Sequence, residues 1–303
     1  MHRPSTLTSS EADDVRSLAA RAAVFDGVAP LSEQTLLSLT SRGGRVTHLL
    51  AYAAARLVGY AQLGGGAAEL VVDPRVRRQG HGRALLDGLL DEDPGLRAWA
   101  HGDLEPARAL ARAAGLEAVR ELHKMARPLG PQDAAPVPLP DGFHARSFER
   151  GRDEGAWLET NAAAFAHHPE QGRMTLTDLQ DRMGQPWFDP AGFILVDADD
   201  APGRVAAFHW TKVDPEQHAS VDPAQTAGEV YVVGVHPAYQ GRGLGRPVTA
   251  LGLAHLAGLG LPEVVLYVDG DNAAAMRTYT TMGFRSIMVD VMYSLAAHPG
   301  LSG

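Results

Sequence analysis

Gly228-Glu229-Val230-Tyr231-Val232-Val233-Gly234-Val235-His236-Pro237, followed by Gln240-Gly241-Arg242-Gly243-Leu244-Gly245-Arg246, is the stretch that decides the fold. Its first part is rich in β-branched residues and stops at a proline, which predicts a strand over Glu229–His236. Its second part sets glycines ahead of an Ala/Leu-rich run, which predicts a tight loop entering a helix that continues to about Leu259. Glycines let the backbone curl so that bare N–H groups converge, and the helix N-terminus adds partial positive charge. Strand, Gln-x-x-Gly-x-Gly and helix in that order therefore suit a pyrophosphate.

The pattern occurs twice. Val72-Asp73-Pro74 and Arg77-Arg78-Gln79-Gly80-His81-Gly82-Arg83 repeat Val235-His236-Pro237 and Gln240–Arg246 at one constant spacing, 72 to 235 and 80 to 243. Gly102-Asp103 and Gly115-Leu116 repeat Gly270-Asp271 and Gly283-Phe284 at a slightly larger spacing, as diverged copies of one fold do. Between the copies lies Pro128-Leu-Gly-Pro131-Gln-Asp-Ala-Ala-Pro136-Val-Pro138-Leu-Pro140, which has too many prolines for a regular element and predicts a semi-rigid linker. The expected organisation is a domain over 1–127, a linker over 128–141 and a second domain over 142–303. A length of 303 residues suits two domains with a core each.

Composition narrows the class. Hydrophobic residues at 45% and charged residues at 21% fit a globular chain rather than a disordered one. The 27 basic against 36 acidic residues, a formal charge of −9, argue against a general nucleic-acid surface. No apolar run is long enough for a membrane span, and Met1–Ser5 lacks the apolar core of a leader, so a cytoplasmic location is expected. With no Cys, a disulfide framework, a thiolate nucleophile and cysteine-ligated zinc are excluded.

Each copy reads helix, hairpin, strand, glycine loop, helix. Ser10 with Asp13 has the spacing of a capping box ahead of Val15, Leu18, Ala19 and Ala22, which share a helical face. Trp157, Leu158, Ala162 and Phe165 take that role in the second copy. Hairpins are predicted from Val46–Tyr52 with Arg56–Leu63, and from Phe193–Val196 with Val205–Val213 through the turn Asp199–Gly203. Val264–Val268 follows as a strand, and Asn272–Met282 as a helix ended by Gly283. The fold class is α/β (α+β): two tandem domains, each a mixed, mostly antiparallel sheet flanked by helices.

A P-loop needs a lysine after its glycines; the only lysines are Lys124 and Lys212. A dinucleotide fold wants the glycines after the first strand, whereas here they follow several. Each half instead resembles the GNAT family of acetyl-CoA-dependent N-acetyltransferases, whose Gln/Arg-x-x-Gly-x-Gly/Ala loop holds the coenzyme A pyrophosphate. The resemblance covers nearly the whole chain. It extends through Leu266-Tyr267-Val268, Asp271–Tyr279 and Ala164–Gly172 to those members that acetylate the cysteinyl amine of cysteinyl-glucosaminyl-inositol. It implies acetyl-CoA on Val233, Gly234, Val235, Gln240, Gly241, Arg242, Gly243, Leu244, Gly245, Arg246, Asn272, Ala275, Met276 and Arg277. In the first copy it implies a second, unreactive molecule on Leu70, Val71, Val72, Arg77, Arg78, Gln79, Gly80, His81, Gly82 and Arg83.

Comparing the copies separates catalyst from relic. Amine acetylation needs a base for the nucleophile, a donor for the tetrahedral oxyanion and an acid for the leaving thiolate. Glu229 suits the base and Tyr279 the acid. At the constant spacings their first-copy partners are Gly66 and Ala111, and Asn272 is matched by Leu104. The second copy is therefore expected to be the catalyst. Each residue also has an ordinary use: Glu229 as an edge-strand charge, Tyr279 as core, Asn272 as a helix N-cap.

The resemblance implies an acceptor site from Glu33, Glu170, Lys212, Glu229 and Tyr267, a polar set that suits a polyol amine. His167-His168-x-Glu170 is not read as a metal site, since adjacent histidines diverge and no third ligand is evident. Acetyl-CoA and an aminosugar-inositol are the expected partners, with no nucleic acid, no membrane and a monomeric chain. The alternatives are a GNAT enzyme for an aminoglycoside, a polyamine or a protein N-terminus, and an acyl-CoA sensor without turnover.

Overall fold

The computed structural model describes residues 1–40, 46–166, 169–214 and 226–295. The chain forms two compact units. One takes Met1–His123, Asp269–Asp271 and the chain from Met288; the other takes Lys124–Val268 and Asn272–Ile287. These are not the spans 1–127 and 142–303 that the strap suggests. Asp269 joins the first unit because Arg120 Nε donates to its carboxylate at 2.5 Å, and the Gly270 N–H donates to the Glu121 carbonyl at 2.9 Å.

The first unit runs α1 (Ser9–Asp26), α2 (Glu33–Ser38), β1 (Val46–Ala53), β2 (Arg56–Gly64), β3 (Ala67–Val72), α3 (His81–Glu92), β4 (Arg97–Ala100) and α4 (Glu105–Ala113), then enters β5 (Leu116–Pro128), which continues into the second unit. Helix α1 buries Val15, Leu18, Ala19 and Ala22 as the spacing predicts, together with Ala12. Its capping box is two residues earlier than expected. Thr8 Oγ1 accepts from the Glu11 N–H at 3.2 Å, and Glu11 returns the bond to the Thr8 N–H at 2.8 Å.

The second unit adds β6 (Phe143–Ser147), α5 (Glu154–Ala164), α6 (Pro169–Gly172), α7 (Leu176–Met183), β7 (Phe193–Ala198), β8 (Val205–Lys212), β9 (Gly228–Val235), α8 (Gly245–Gly258), β10 (Glu263–Asp269) and α9 (Ala273–Thr281), and β11 (Arg285–Leu295) starts in it and runs into the first unit. Its strand order is β10-β9-β8-β7-β6. The β9–β10 pair is parallel, and β8–β9, β7–β8 and β6–β7 are antiparallel. The first unit orders β1-β2-β3-β4-β11, where Val291–Ser294 of β11 pair antiparallel with β4.

Helix α5 buries Trp157, Thr160 and Asn161 rather than the wholly apolar face predicted; Ala162 is exposed. The polar pair is tolerated because it is bonded: Thr160 donates to the Val205 carbonyl at 2.9 Å, and Asn161 and Gln171 exchange two bonds of 2.8 Å. Trp157 stands edge-on to Phe193, Phe208 and Trp210, and Phe193 stacks on Trp210 with centroids 4.3 Å apart. Aromatic area of this kind dominates the stability of the unit.

The proline strap belongs to the second unit instead of hanging free. The Leu129 N–H donates to the Pro262 carbonyl at 2.9 Å, Arg127 pairs with Asp133, and Leu129 and Leu139 pack on the core.

Candidate active site

Strands β9 and β10 pair only over Gly228–Val230 and Val264–Leu266, although both run on. Beyond Val230 the outer backbone edge of β9 is turned to a cleft, which Val233, Gly234 and Val235 line. One residue helps to part the two strands. Trp210 pairs with Val232 while Thr211 pairs with Val230, leaving Tyr231 as the extra residue of a β-bulge.

The cleft beside that edge holds about 640 Å³. Val233, Gly234 and Val235 line one wall, and Asn272, Ala275, Thr278 and Tyr279 of α9 line the other. Gln240, Gly241, Gly243, Leu244 and Gly245 close one end. Gly241 and Gly243 have φ of 77° and 81°, which a Cβ would penalise, so the loop requires glycine there. Helix α8 starts at Gly245 without a side-chain cap, and its first N–H groups are available to an anion.

Several expected residues lie elsewhere. Arg242 donates to Asp200 at 3.1 Å and lies over the rings of Phe143 and Tyr239; neither it nor Arg246 lines the cleft. Positive potential at the loop is therefore mainly that of the backbone. Met276 and Arg277 are also off the wall, which is made by Ala274, Ala275 and Thr278. Helical spacing from Asn272 marks Ala275, Thr278 and Tyr279 as one face, a signal present in the sequence but not used for Thr278. Asn272 lines the cleft, and its Oδ1 caps α9 by accepting from Ala275 N–H at 3.1 Å. Tyr279 sits on the cleft wall against Phe284, and burial pushes its phenol up to about 12.

Glu229 does not line this cleft; it stands on β9 directly opposite Lys212 of β8. Opposed residues of an antiparallel pair project to the same face. Lys212 is 2% exposed, with its ammonium 4.8 Å from the Trp187 ring centre, 5.5 Å from that of Tyr231 and 3.7 Å from Asp214. The Tyr231 hydroxyl accepts from Arg182 Nε at 2.9 Å. Ring faces attract the cation, so this lysine is held in an aromatic box. Trp187, Tyr231 and Arg182 have no motif to announce them. Tyr267 is 41% exposed on β10, beneath Lys124 at 6.0 Å. Glu33 opens α2 in the first unit after the Ser32 N-cap. Glu170 lies on α6, and its side chain, like His167 and His168, is outside the described residues.

The first unit keeps a cleft of about 450 Å³, lined by Leu70, Val71, Val72, Arg77, Arg78, Gly80, His81, Gly82 and Arg83 but not Gln79. The turn is preserved: Gly80 has φ of 88°, and Arg78, at the place of Gly241, is held at 63°. Its arginines are engaged, however. Arg77 forks onto Asp26 at 2.7 and 2.6 Å, and Arg83 bonds Asp87 at 2.7 Å and the Ala113 carbonyl at 2.8 Å.

Strand register corrects the partner of Glu229. In β2–β3, Gly59 opposes Val72 and Gly64 opposes Ala67 without a shift; in β8–β9, Ala207 opposes Val235 and Lys212 opposes Glu229 across the bulge. Glu229 thus matches Ala67, not Gly66, and Lys212 matches Gly64. The conclusion about the missing base is unchanged. Leu104 gives α4 no side-chain cap, and Ala111 stands buried where Tyr279 would be. Where the second unit has Phe193, Trp210 and Phe208, the first has His48, Gln62 and Tyr60, closed into a chain with Ser38 by bonds of 2.8 Å.

Comparison with known proteins agrees with this architecture. Residues 154–284 match the acetyltransferase (GNAT) family. The chain is 52% identical to a mycothiol acetyltransferase of Thermomonospora curvata, over 95% of this chain and 94% of that one. It is 51% identical to a mycothiol acetyltransferase of Streptomyces bingchenggensis, with the same coverage. Among solved structures, a tandem GNAT protein from the clavulanic acid biosynthesis pathway shares the fold at a TM-score of 0.69 and 18% identity, covering 98% of this chain and 99% of that one. A GCN5-related N-acetyltransferase from Sphaerobacter thermophilus does so at 0.64 and 22%, covering 96% and 94%. The chain is an N-acetyltransferase of the GNAT family and belongs, within it, to the mycothiol acetyltransferases.

Proposed function

We propose that the second unit transfers the acetyl group of acetyl-CoA to the cysteinyl amine of cysteinyl-glucosaminyl-inositol, giving mycothiol and coenzyme A. The observation that carries the site assignment is the Glu229–Lys212 opposition at the bulged end of β9, beside the cleft. The acceptor is taken from the names of the relatives, and the polar side chains around Lys212 suit it.

The N–H groups of the Gln240–Gly245 loop and the start of α8 receive the pyrophosphate, and the Val233–Val235 edge pairs with the pantetheine amide groups. A backbone N–H near Val233 polarises the thioester carbonyl. Glu229, directly or through water, takes a proton from the ammonium, and the free amine nitrogen attacks the carbonyl carbon. The carbon–sulfur bond then breaks, the electron pair leaves on sulfur, and the nitrogen gives up its second proton to water, from which the thiolate is protonated. Tyr279 meets it as a neutral hydrogen-bond donor. With a pKa near 12, Tyr279 keeps its proton at neutral pH but transfers it only uphill to a thiolate of about 8.5, so its main contribution is the hydrogen bond.

Glu170, Lys212 and Tyr267 complete the acceptor set. The cleft of the first unit holds a second coenzyme A that does not react, because Ala67 and Ala111 stand where base and acid would be. The active form is taken to be a cytoplasmic monomer. Mixing the chain with acetyl-CoA, cysteinyl-glucosaminyl-inositol, a peptide amine and an aminoglycoside, then weighing the products, tests the acceptor. One acetyl group on the cysteinyl compound alone is expected; acetylation of a competitor instead would replace the acceptor and keep the site.

A further inference from the structure

We infer that His209 is a positioning residue for coenzyme binding, a wedge that sets the distance between the β9 wall of the second-unit cleft and the start of α8, which closes its end. The inference rests on the assignment of that cleft to acetyl-CoA.

His209 is fully buried on β8, on the side of the sheet that faces α8. Its Nδ1 lies 3.0 Å from the carbonyl oxygen of Val248, in the first turn of α8. A carbonyl only accepts, so Nδ1 carries the proton and Nε2 is the bare nitrogen. One helical turn on, Gly252 leaves the space that the ring fills: a Cβ there would stand 2.1 Å from His209 Cε1. Across the sheet His209 opposes Val233.

Those neighbours are cleft residues. Val233 belongs to the strand wall, and Val248 and Thr249 of α8 line the end of the cleft beside the glycine loop. The ring therefore touches the first turn of the helix whose N-terminus faces the phosphates, while its backbone is paired with the strand that faces the pantetheine. Farther along α8, other contacts fix the helix: Leu256 closes on Gly228, and His255 approaches Asp189 at 3.6 Å. At the phosphate-binding end the wedge adds a directed polar contact to the apolar packing of Leu244 and Val248 among Ala206, Ala207 and Tyr239. Buried unbonded nitrogens are costly, and Nε2 of His209 has no hydrogen-bond partner among the described residues. A phenylalanine or leucine would fill the space without that cost, so what the histidine adds is the directed Nδ1–H bond.

Three variants and one spectrum test this. His209→Leu keeps bulk and loses the donor; acetyl-CoA KM is expected to rise about tenfold with kcat and the acceptor KM within about twofold. His209→Asn, whose amide can replace the Nδ1 donor, should recover part of that loss. Gly252→Ala, with the histidine intact, should raise acetyl-CoA KM in the same way by displacing the ring. In the unaltered protein, nitrogen NMR of labelled histidine should show His209 as the neutral Nδ1–H tautomer at pH 6, with a resonance that moves on adding coenzyme A. An Nε2–H tautomer, or a resonance indifferent to coenzyme A, overturns the inference even if every variant fails to fold. So does a folded His209→Leu protein with unchanged acetyl-CoA KM. Failure of the unaltered protein to bind coenzyme A would instead remove the cleft assignment on which the wedge depends.

Discussion

Lys212 and Glu229 face each other across β8 and β9, and the residues in their places in the first unit are Gly64 and Ala67. One fold thus carries a charged pair in one copy and two small side chains in the other. Lys212→Met keeps a side chain of similar length among the rings of Trp187 and Tyr231 but removes the charge. The acceptor KM is expected to rise about tenfold while that for acetyl-CoA stays within about twofold. Steady-state kinetics with each substrate varied separately checks it, and an unchanged acceptor KM would take Lys212 out of the acceptor site.

Tyr279→Phe removes a hydrogen bond to the departing sulfur and leaves the cleft wall intact. A loss of about tenfold to a hundredfold in kcat is expected, with little change in acetyl-CoA KM. Because burial holds the phenol near 12, ionisation of Tyr279 should add no alkaline limb to the wild-type profile below about pH 10. An alkaline limb that the Phe variant abolishes would show that the hydroxyl ionises in the working range after all.

The first unit contains a buried charged histidine. His101 lies 3.0 Å from Asp290 and 3.2 Å from Glu69, and the Gly102 N–H donates to Asp290 at 2.7 Å. Burial alone would lower its pKa; the hydrogen bonds and charges of the two carboxylates outweigh that and lift it to about 10. A histidine raised above its unfolded value of 6.5 stabilises fully below that pH, and the contribution is lost as pH rises toward 10. His101→Gln should cost about 3–5 kcal/mol at neutral pH, since it strands two buried carboxylates. Denaturant unfolding from pH 6 to 10 should show the gap to wild type narrowing; a gap independent of pH would mean that His101 is neutral.

His209 should behave in the opposite sense. Burial lowers its pKa to about 4, so its contribution is present above 6.5 and is lost as pH falls from there toward 4. His255 on α8, facing Asp189, is the neighbouring histidine whose pKa is also lowered by burial. Comparing His209→Leu with His255→Gln by acid unfolding separates them: only the former should flatten most of the acid loss.

Arg78 holds a left-handed backbone that Gly241 supplies in the second unit. The conformation costs a non-glycine residue about 1–2 kcal/mol, against about 0.5–1 kcal/mol of extra chain entropy for glycine. Arg78→Gly should therefore stabilise the protein by about 0.5–1 kcal/mol. Thermal unfolding reads this directly, and a destabilised variant would show that the Arg78 side chain makes contacts worth more than the strain.

Much of this was legible from spacing. The two glycine loops, their strands and helices, the buried face of α1 and the loss of Glu229, Asn272 and Tyr279 equivalents follow from residues that recur at fixed intervals. What escaped was set by tertiary register. The bulge at Tyr231 inserts one residue into β9 alone, so a constant spacing assigns Gly66 instead of Ala67 and misses the Gly64–Lys212 match. Arg242 looks like a phosphate ligand until the partner Asp200 arrives from a hairpin turn 42 residues away. The strap reads as a linker because prolines forbid regular structure, yet its leucines still have a core to enter. The end of β11 pairs with β4, a choice made by a sheet edge that no local pattern records.

The claim that the second unit alone performs transfer, with Glu229 as base, is tested most directly by Glu229→Gln. Acetyl transfer to cysteinyl-glucosaminyl-inositol should be followed from pH 6 to 9 under saturating acetyl-CoA. A loss of about a hundredfold to ten-thousandfold is expected across that range, with coenzyme A binding retained. A variant that keeps the wild-type rate and profile would contradict the account, since no other carboxylate in it has been given that proton.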